Sequence, residues 1–322
     1  MKTAGIYGFS EATLRIFLGN RFVRDTVLAP QISKTSRLSD ALRHLNALGQ
    51  VNDSQCQGSC DNPNARGPVF VLSAGWGTGS TLIQRLIISS GEYLVWGEPL
   101  DEAASIQRMS ESLHAIREGF PPAKQYTENY SANTLSKSWI ANLIPPMETY
   151  RNAHRSFLDT WLSEKTACSS YQQWGLKEVR LNIDHARYLK WLFPNAKFVF
   201  VYRDLYSSYL SCRRKPWVSI WPDYKVSPIA AFSHHWNHLL SGFIDHHESV
   251  GGIMVRYEDI VDGKFDLNVL SEYLSINSID KELLKKKIGG RSANRKQLIL
   301  PEKLIMDSIA GPLRSRLNYR DS

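Results

Sequence analysis

The stretch from Val69 to Leu100 reads VFVLSAGWGTGSTLIQRLIISSGEYLVWGEPL, and it decides the fold. It begins with an apolar run that predicts a buried β-strand, and this run stops at three glycines within five positions, Gly75, Gly77 and Gly79. A helical pattern with hydroxyl residues at its start follows. A strand, a glycine-rich turn and a helix in this order direct backbone N–H groups and a helix N-terminus towards a phosphate-like group. The stretch therefore predicts an anion-binding loop.

This loop departs from the P-loop that binds ATP or GTP. That motif, G-x-x-x-x-G-K-[ST], has a leading glycine and a lysine that reaches the β and γ phosphates. Here Ala74 takes the place of the leading glycine, and Ser80 follows Gly79 where the lysine is required. The sequence therefore disfavours hydrolysis of a nucleoside triphosphate, while a loop of this kind still suits an anion of smaller charge.

A second anion site is predicted later in the chain. Residues 189–214 read LKWLFPNAKFVFVYRDLYSSYLSCRR, in which a strand from Lys197 to Tyr202 ends at Arg203 and the next helix carries Ser211. Arg203 and Ser211 are eight positions apart. At a strand-to-helix turn this spacing lets a guanidinium and a hydroxyl converge on one phosphate, with bidentate, charge-assisted contacts from the arginine.

Taken together, these segments resemble the sulfotransferases that use 3′-phosphoadenosine 5′-phosphosulfate (PAPS). Members of that family carry a P-[KR]-S-G-T-T loop at the 5′-phosphosulfate, and an arginine and a serine at the same spacing at the 3′-phosphate. The runs LFPNAKFVFVYRD and IMVRYEDIV, the latter at residues 253–261, resemble the tyrosylprotein branch and its bacterial relatives. The resemblance covers roughly residues 68–319 and rests on four segments in the right order. It implies PAPS as the cofactor, without a metal ion.

Laid on the family loop, Thr78, Gly79, Ser80 and Thr81 stand where members have their serine, glycine and threonines. Gly77 stands where they usually have lysine or arginine. The resemblance therefore implies that residues 77–81 bind the donor and that another cation replaces the missing one. A loop that binds the donor without turning it over, in a non-catalytic nucleotide-binding protein, is the alternative of another class.

Lys177 and Arg85 are the candidate replacement cations, and we favour Lys177. It lies in a predicted strand from Trp174 to Val179, where the resembling enzymes place a lysine that is thought to neutralise charge on the sulfuryl group. The alternative for Lys177 is an exposed lysine on an edge strand, since most lysines are surface charges.

Glu98 is the candidate general base. It follows a short predicted strand from Tyr93 to Trp96 and precedes Pro99, so its carboxylate lies at a strand mouth, where open α/β sheets bind ligands. An acceptor hydroxyl loses its proton as the O–S bond forms, and a carboxylate within hydrogen-bond distance accelerates this by about 10²–10⁴-fold. The alternative is a glutamate that caps the next helix.

The nucleoside end of the donor has further candidates. In relatives, a tyrosine of the YED segment and a loop before the last helix close over PAPS. Tyr257 matches that tyrosine, and the basic segment 289–296 suits a loop that orders on an anion. From this segment we select Arg291, Ser292 and Lys296; a plain solvated loop is the alternative.

The cysteines and histidines give no convincing metal site. Cys56 and Cys60 form a lone C-x-x-x-C without a second pair, which is weak support for zinc, and whether they pair with each other stays open. One helical segment is rich in histidines, and two of them, His234 and His238, share a face of it. The full set is His234, His235, His238, His246 and His247. We interpret these histidines as polar helix surface.

Strands and helices alternate from residue 68 onward. This order predicts an α/β fold with a P-loop-like central parallel sheet covered by helices on both faces. The extension before it can pack on the core, form a homodimer contact or cover the acceptor site, and the first is the default. The predicted divisions are a helical N-terminal extension and linker at 1–67, with helices near 9–19 and 35–48, and a sulfotransferase domain at 68–322 with a helical insertion at 101–170. The predicted strands lie near 68–73, 93–96, 174–179, 197–202 and 252–256.

Composition sets limits on partners and location. With 39 basic and 31 acidic residues, the net charge of +8 favours anionic cofactors. No nucleic-acid-binding module accompanies the scattered basic residues, so no nucleic acid partner is expected. No apolar run is long enough for a signal peptide or a membrane span. We therefore expect a cytoplasmic protein. The eukaryotic enzymes that it resembles work in the Golgi behind a membrane anchor, so the resemblance implies a bacterial enzyme.

The acceptor is expected to be a molecule with a hydroxyl group. A carbohydrate, as on a polysaccharide or glycolipid, is the first expectation, because such acceptors are frequent among the bacterial relatives. A peptide tyrosine is second, supported by the LFPNAKF segment, and a small phenol or lipid alcohol is third. Four tryptophans lie in segments that suit an acceptor cleft, Trp139, Trp161, Trp217 and Trp221. Aromatic residues in a domain of this size nevertheless usually belong to the core.

Overall fold

Five parallel strands form one sheet in a computed structural model of the chain. The structure describes residues 41–43, 66–98, 103–167, 170–213, 215, 228–285 and 297–319. The strands are β1 (Val69–Ser73), β2 (Tyr93–Trp96), β3 (Gln173–Glu178), β4 (Lys197–Tyr202) and β5 (Ile253–Arg256). Their order across the sheet is β2-β3-β1-β4-β5, so β1 lies at the centre and all the strands end at one edge.

Helices connect the strands. The α-helices are α1 (Ser80–Ile88), α2 (Ser105–Glu111), α3 (Ala132–Leu135), α4 (Met147–Ala167), α5 (Ile183–Leu192), α6 (Leu205–Cys212), α7 (Pro228–His246), α8 (Tyr257–Val261), α9 (Leu267–Leu274) and α10 (Leu300–Arg316). Short 3-10 helices cover Ser112–Ala115, Ala123–Gln125, Thr127–Asn129, His247–Val250 and Lys281–Leu284. None of the helices in the described part of the chain is long and apolar enough to cross a membrane.

The strands are apolar on both faces because each face is covered by helices. Alternate residues of a strand point to opposite faces. In β1, Phe70 and Leu72 join the larger core with residues of α4, α5, α7 and α10, whereas Val69 and Val71 join the smaller core with residues of α1 and α9. Fully burying one such side chain stabilises the fold by roughly 1.5–3 kcal/mol. The two cores hold the sheet rigid beneath its carboxyl edge.

Short polar side chains start the helices at this edge. The Asn182 side chain accepts hydrogen bonds from the backbone N–H groups of Asp184 and His185, both at 3.1 Å, and caps α5. Asp204 accepts from the backbone N–H of Ser207 at 2.9 Å and caps α6. Such caps satisfy donors that a helix start otherwise leaves without a partner.

The structure confirms the predicted fold class, a parallel α/β sheet with helices on both faces, and the predicted strands are displaced by one residue at most. In the predicted helix 35–48, the three described residues, 41–43, are helical. The predicted helix 9–19 lies outside the described residues, as do Cys56, Cys60, Trp217 and Trp221. The division of the chain at residue 67 stays a prediction.

Candidate functional site

The glycine-rich loop runs from the end of β1 into α1 at the carboxyl edge of the central strand. Gly75, Gly77 and Gly79 all have positive φ angles, of +91°, +74° and +91°. Ser80 then begins α1, and the helix N-cap is Gly79, which has no side chain to cap it. The first amides of a helix have no partner within the helix, and they carry its positive dipole end. The loop therefore presents main-chain donors suited to an anion.

Hydroxyl groups inside the loop fix its shape. Thr78 is fully buried, its Oγ1 contacts the Oγ of Ser73, and it donates to the carbonyl of Gly75 at 3.2 Å. The Ser73 hydroxyl donates to the same carbonyl at 2.7 Å. Thr78 is thus positioned to offer a ligand its backbone N–H, while its side chain holds the turn. Among the other predicted loop residues, Ser80 is buried and Thr81 is exposed.

Arg203 lies directly beneath this loop. It follows β4, is 8% exposed, and donates from Nη1 to the carbonyl of Gly77 at 3.1 Å. Its guanidinium also lies over the ring of Tyr257, 4.3 Å from the centroid. Tyr257 begins α8 after β5, and its ring packs so closely on Gly79 that a Cβ there would overlap it. The structure therefore brings together the predicted phosphosulfate loop, the predicted 3′-phosphate arginine and Tyr257.

Ser211 also approaches the loop. The close contact between α6 and the loop explains why position 77 carries no lysine or arginine. A Cβ placed on Gly77 would lie 3.2 Å from the Cβ of Ser211 and 3.1 Å from the carbonyl carbon of Ser208, and it would overlap the oxygen of that carbonyl. The backbone of α6 therefore occupies the space into which a side chain at position 77 would have to grow. The lysine or arginine of the family loop has no room here.

Glu98 and Lys177 form an ion pair at the ends of the neighbouring strands β2 and β3. Oε1 of Glu98 accepts a hydrogen bond from Nζ of Lys177, and the two side chains are 21% and 9% exposed. Lys177 is not an exposed lysine on an edge strand, because β3 lies between β2 and β1. Arg85, the other candidate cation, lies in the last turn of α1, away from the loop.

Glu178 supplies a second carboxylate near this pair, and it was not among the residues predicted from the sequence. Glu178 is fully buried and accepts hydrogen bonds from Arg180, at 3.0 Å from Nε and 2.7 Å from Nη2. Burial raises the pKa of the Glu178 carboxyl, while Arg180 acts in the opposite direction. Glu178 lines a small cavity together with Leu176 and Trp161, a side chain that is 37% exposed.

His235 is buried against the glycine-rich loop. The interpretation of the histidines as polar helix surface is therefore wrong for this residue. It is 7% exposed, its ring lies 5.0 Å from that of Trp76, and Nε2 is 3.0 Å from the carbonyl oxygen of Val179. Burial lowers the pKa of His235 to about 3, so its ring is neutral near pH 7. Nothing in the local sequence indicates that His235, among the histidines of this helix, is the buried one.

Arg291, Ser292 and Lys296, the candidates for a loop that closes over the donor, lie outside the described residues. Their role stays a prediction, as do the catalytic roles of Glu98 and Lys177. What the structure establishes is the placement of the other candidates. Except for Arg85, they lie at the carboxyl edge of the sheet, on the ends of β1 to β5 or on the helices that follow.

A parallel α/β sheet with a glycine loop, a helix N-terminus and a buried arginine at one edge defines a class of proteins that bind phosphorylated ligands. A model of the sulfotransferase family matches residues 68–266, which is more than half of the chain. The chain therefore belongs to the sulfotransferase family, and this confirms the family to which the sequence motifs pointed.

Two solved structures are similar to this chain. One is a sulfotransferase domain from the curacin biosynthetic pathway, with 17% identity and a TM-score of 0.47 over 80% of this chain and 99% of that domain. The other is the sulfotransferase STF9 from Mycobacterium avium, with 13% identity and a TM-score of 0.40 over 95% of this chain and 88% of STF9. No curated protein sequence matches the chain.

Proposed function

We propose that this protein transfers a sulfuryl group from PAPS to the hydroxyl group of an acceptor. PAPS carries charged groups at two ends, and the carboxyl edge of the sheet offers two matching sets of donors. The amides of residues 77–81 suit the 5′-phosphosulfate, and Arg203 with Ser211 suits the 3′-phosphate. The hydrogen bond from Arg203 to the Gly77 carbonyl supports this proposal, because it joins the two sets in one site.

Tyr257 belongs to the same proposed site, since its ring packs on both Gly79 and Arg203. Arg291, Ser292 and Lys296 are proposed to complete it around the nucleoside. When bound, PAPS supplies an activated sulfuryl group whose departure leaves negative charge on the 5′-phosphate. Main-chain amides that already point to that position stabilise such charge without reorganising.

Glu98 is the proposed general base and Lys177 the proposed cation of the transfer step. An ionised carboxylate takes the proton from the acceptor hydroxyl as the hydroxyl oxygen attacks. The Lys177 ammonium lies against that carboxylate and provides the positive charge that the loop of this chain lacks. The ion pair between them is the single observation on which this assignment of roles depends.

For the acceptor, we propose a carbohydrate hydroxyl. Trp161 is partly exposed and lines a small cavity with Glu178. The Glu178 carboxyl lies close enough to Glu98 for the negative charge of Glu98 to raise its pKa. A partly exposed indole ring beside a carboxylate suits a sugar, because the apolar face of the indole packs on the sugar ring while polar groups meet the hydroxyls. A tyrosine or phenol acceptor makes use of the same aromatic surface, so the acceptor is best identified by direct assay.

Radiolabelled PAPS incubated with a panel of glycans, tyrosine peptides and phenols tests the proposal. We expect label transfer to a glycan by the wild-type protein, and a loss of about 10²–10⁴-fold in Glu98→Gln. Binding of 3′-phosphoadenosine 5′-phosphate (PAP), measured by calorimetry, should be retained in that variant. Glu111→Gln is the matched control, because Glu111 is an exposed glutamate of α2.

The alternative class, a protein that binds the donor without turning it over, makes the opposite prediction. It expects tight PAP binding, no transfer to any acceptor, and no difference between Glu98→Gln and Glu111→Gln. Transfer to a tyrosine peptide but to no glycan would support sulfuryl transfer and contradict the proposed acceptor.

A further inference from the structure

The carboxyl-terminal end of the described chain packs against the turns that follow β4 and β5. Arg314, in the last turn of α10, and Tyr319, just beyond that helix, are 3% and 2% exposed. Both residues lie outside the range 68–266 that matches the sulfotransferase family. The two turns they contact are those that carry Arg203 and Tyr257.

Arg314 binds the carboxylate that directly follows Arg203 in the chain. Its Nε and Nη2 atoms donate to Oδ1 of Asp204 at 3.3 and 3.2 Å, and its Nη1 donates to Oδ1 of Asp307 at 2.7 Å. The other oxygen of Asp204 caps α6 through the backbone N–H of Ser207. One buried guanidinium therefore fixes the turn from which Arg203 projects.

Tyr319 binds the carboxylate that directly follows Tyr257. Its hydroxyl donates to Oε2 of Glu258 at 3.0 Å, and Oε1 of Glu258 accepts the backbone N–H of Asp204, also at 3.0 Å. Arg314 Nη2 donates to the carbonyl of Tyr319 at 2.8 Å. The two turns and the carboxyl-terminal segment thus form one hydrogen-bonded unit.

We infer that Arg314 and Tyr319 are positioning residues for the 3′-phosphate end of the donor site. The inference rests on the proposed function, because it takes Arg203 as the ligand of the 3′-phosphate. A guanidinium gives two-point recognition of phosphate only when its orientation is held, and Arg203 is held between the Gly77 carbonyl and the Tyr257 ring. The carboxyl-terminal segment anchors Asp204 and Glu258, the residues that directly follow Arg203 and Tyr257.

Tyr319→Phe is the most specific test, since it removes one hydroxyl and keeps the buried ring. We expect the Kd for PAP to rise about tenfold, because a turn that is no longer fixed leaves Arg203 to be ordered by the ligand, and immobilising one such side chain on binding lowers the affinity by up to about this factor. The Kd for adenosine 5′-phosphate, which lacks the 3′-phosphate, should stay at the wild-type value. Calorimetry with both ligands distinguishes this positioning role from a general loss of stability, which would weaken both.

Tyr273→Phe is the matched control. The Tyr273 hydroxyl also makes several hydrogen bonds, with the backbone of Phe198 and the carbonyl of Gly251, but it makes them near the opposite edge of the sheet. We expect that variant to bind both ligands as the wild type does. Arg314→Lys keeps the charge but loses the two-point contact with Asp204, and we expect it to weaken PAP binding selectively as well.

The outcomes separate the inference from the proposed function. An unchanged PAP Kd in Tyr319→Phe, or an equal loss for PAP and adenosine 5′-phosphate, overturns the positioning role. A wild-type protein that prefers adenosine 5′-phosphate to PAP overturns the proposed function instead. A selective loss of PAP binding in Tyr319→Phe and Arg314→Lys, with Tyr273→Phe unaffected, supports the inference.

Discussion

Gly77 takes the place of a lysine or arginine in the family loop, and the structure predicts that no side chain is tolerated there. The φ angle of +74° is left-handed, and a Cβ would overlap the carbonyl oxygen of Ser208. The left-handed backbone costs a residue with a Cβ roughly 1–2 kcal/mol, and forcing an extra atom into a packed site adds about 1–3 kcal/mol. We expect Gly77→Ala to lower the free energy of unfolding by about 2–5 kcal/mol.

Gly91→Ala separates the two contributions. Gly91 has nearly the same φ, +75°, but a Cβ there would have nothing within 4 Å. This control should therefore lose only the backbone contribution of about 1–2 kcal/mol. Urea denaturation followed by circular dichroism measures both variants, and equal losses for Gly77→Ala and Gly91→Ala would refute the predicted overlap with α6.

The same substitution is expected to disturb ligand binding. Because Arg203 donates to the Gly77 carbonyl, a displaced loop shifts the arginine as well, so Gly77→Ala should weaken PAP binding while Gly91→Ala does not. Gly77→Lys, which restores the residue type of the family loop, should be at least as harmful despite its added charge. A Gly77→Lys protein that unfolds at the wild-type urea concentration and transfers sulfate faster would contradict this reasoning.

The remaining predictions concern Arg203, Lys177 and the histidines His185 and His235. Arg203→Ala should raise the Kd for PAP by about 10–100-fold, the range for hydrogen bonds to a charged group; an unchanged Kd removes the 3′-phosphate assignment. Lys177→Met should lower kcat as strongly as Glu98→Gln does, and the double variant should be no worse than either, because the pair acts as a unit; additive losses argue for independent roles. His185 and His235 have pKa values lowered by burial to about 3, so below pH 6.5 the unfolded chain binds protons that the folded chain does not. Stability should therefore fall as the pH decreases from 6.5 towards 3, by roughly 1.4 kcal/mol per pH unit for each histidine, and urea midpoints of His185→Gln and His235→Gln should show a shallower decline.

The parts of the fold that local patterns encode were predictable. Each strand is a short apolar run, and Gly75, Gly77 and Gly79 mark a turn that needs positive φ angles. The spacing of Arg203 and Ser211 predicted that both would contact one phosphate, which stays a prediction. In the structure both lie against the loop residue Gly77. These signals lie within one strand, turn and helix.

The contacts that depend on strand order were not predictable in this way. Glu98 and Lys177 are far apart in sequence, and they meet because β2 lies beside β3 and not beside β1, although β1 precedes it in the chain. His235 and Arg314 come from helices that pack on the sheet from later in the sequence. His235 supports the loop and Arg314 supports the Asp204 turn through tertiary packing, which cannot be predicted from the local sequence pattern.

On the proposed function the site needs a cation that the loop of this chain lacks, and the strand order places one nearby. The close approach of α6 fills the space beside Gly77, so positive charge has to come from a neighbouring strand, and Lys177 lies on β3, directly beside β1. In the resting protein its charge is balanced by Glu98. On the proposed function, Glu98 becomes neutral when it takes the acceptor proton, and the Lys177 charge is then left uncompensated in a largely buried position. Uncompensated positive charge there attracts the negative charge that develops in the same step, so proton removal and charge stabilisation are coupled through one ion pair.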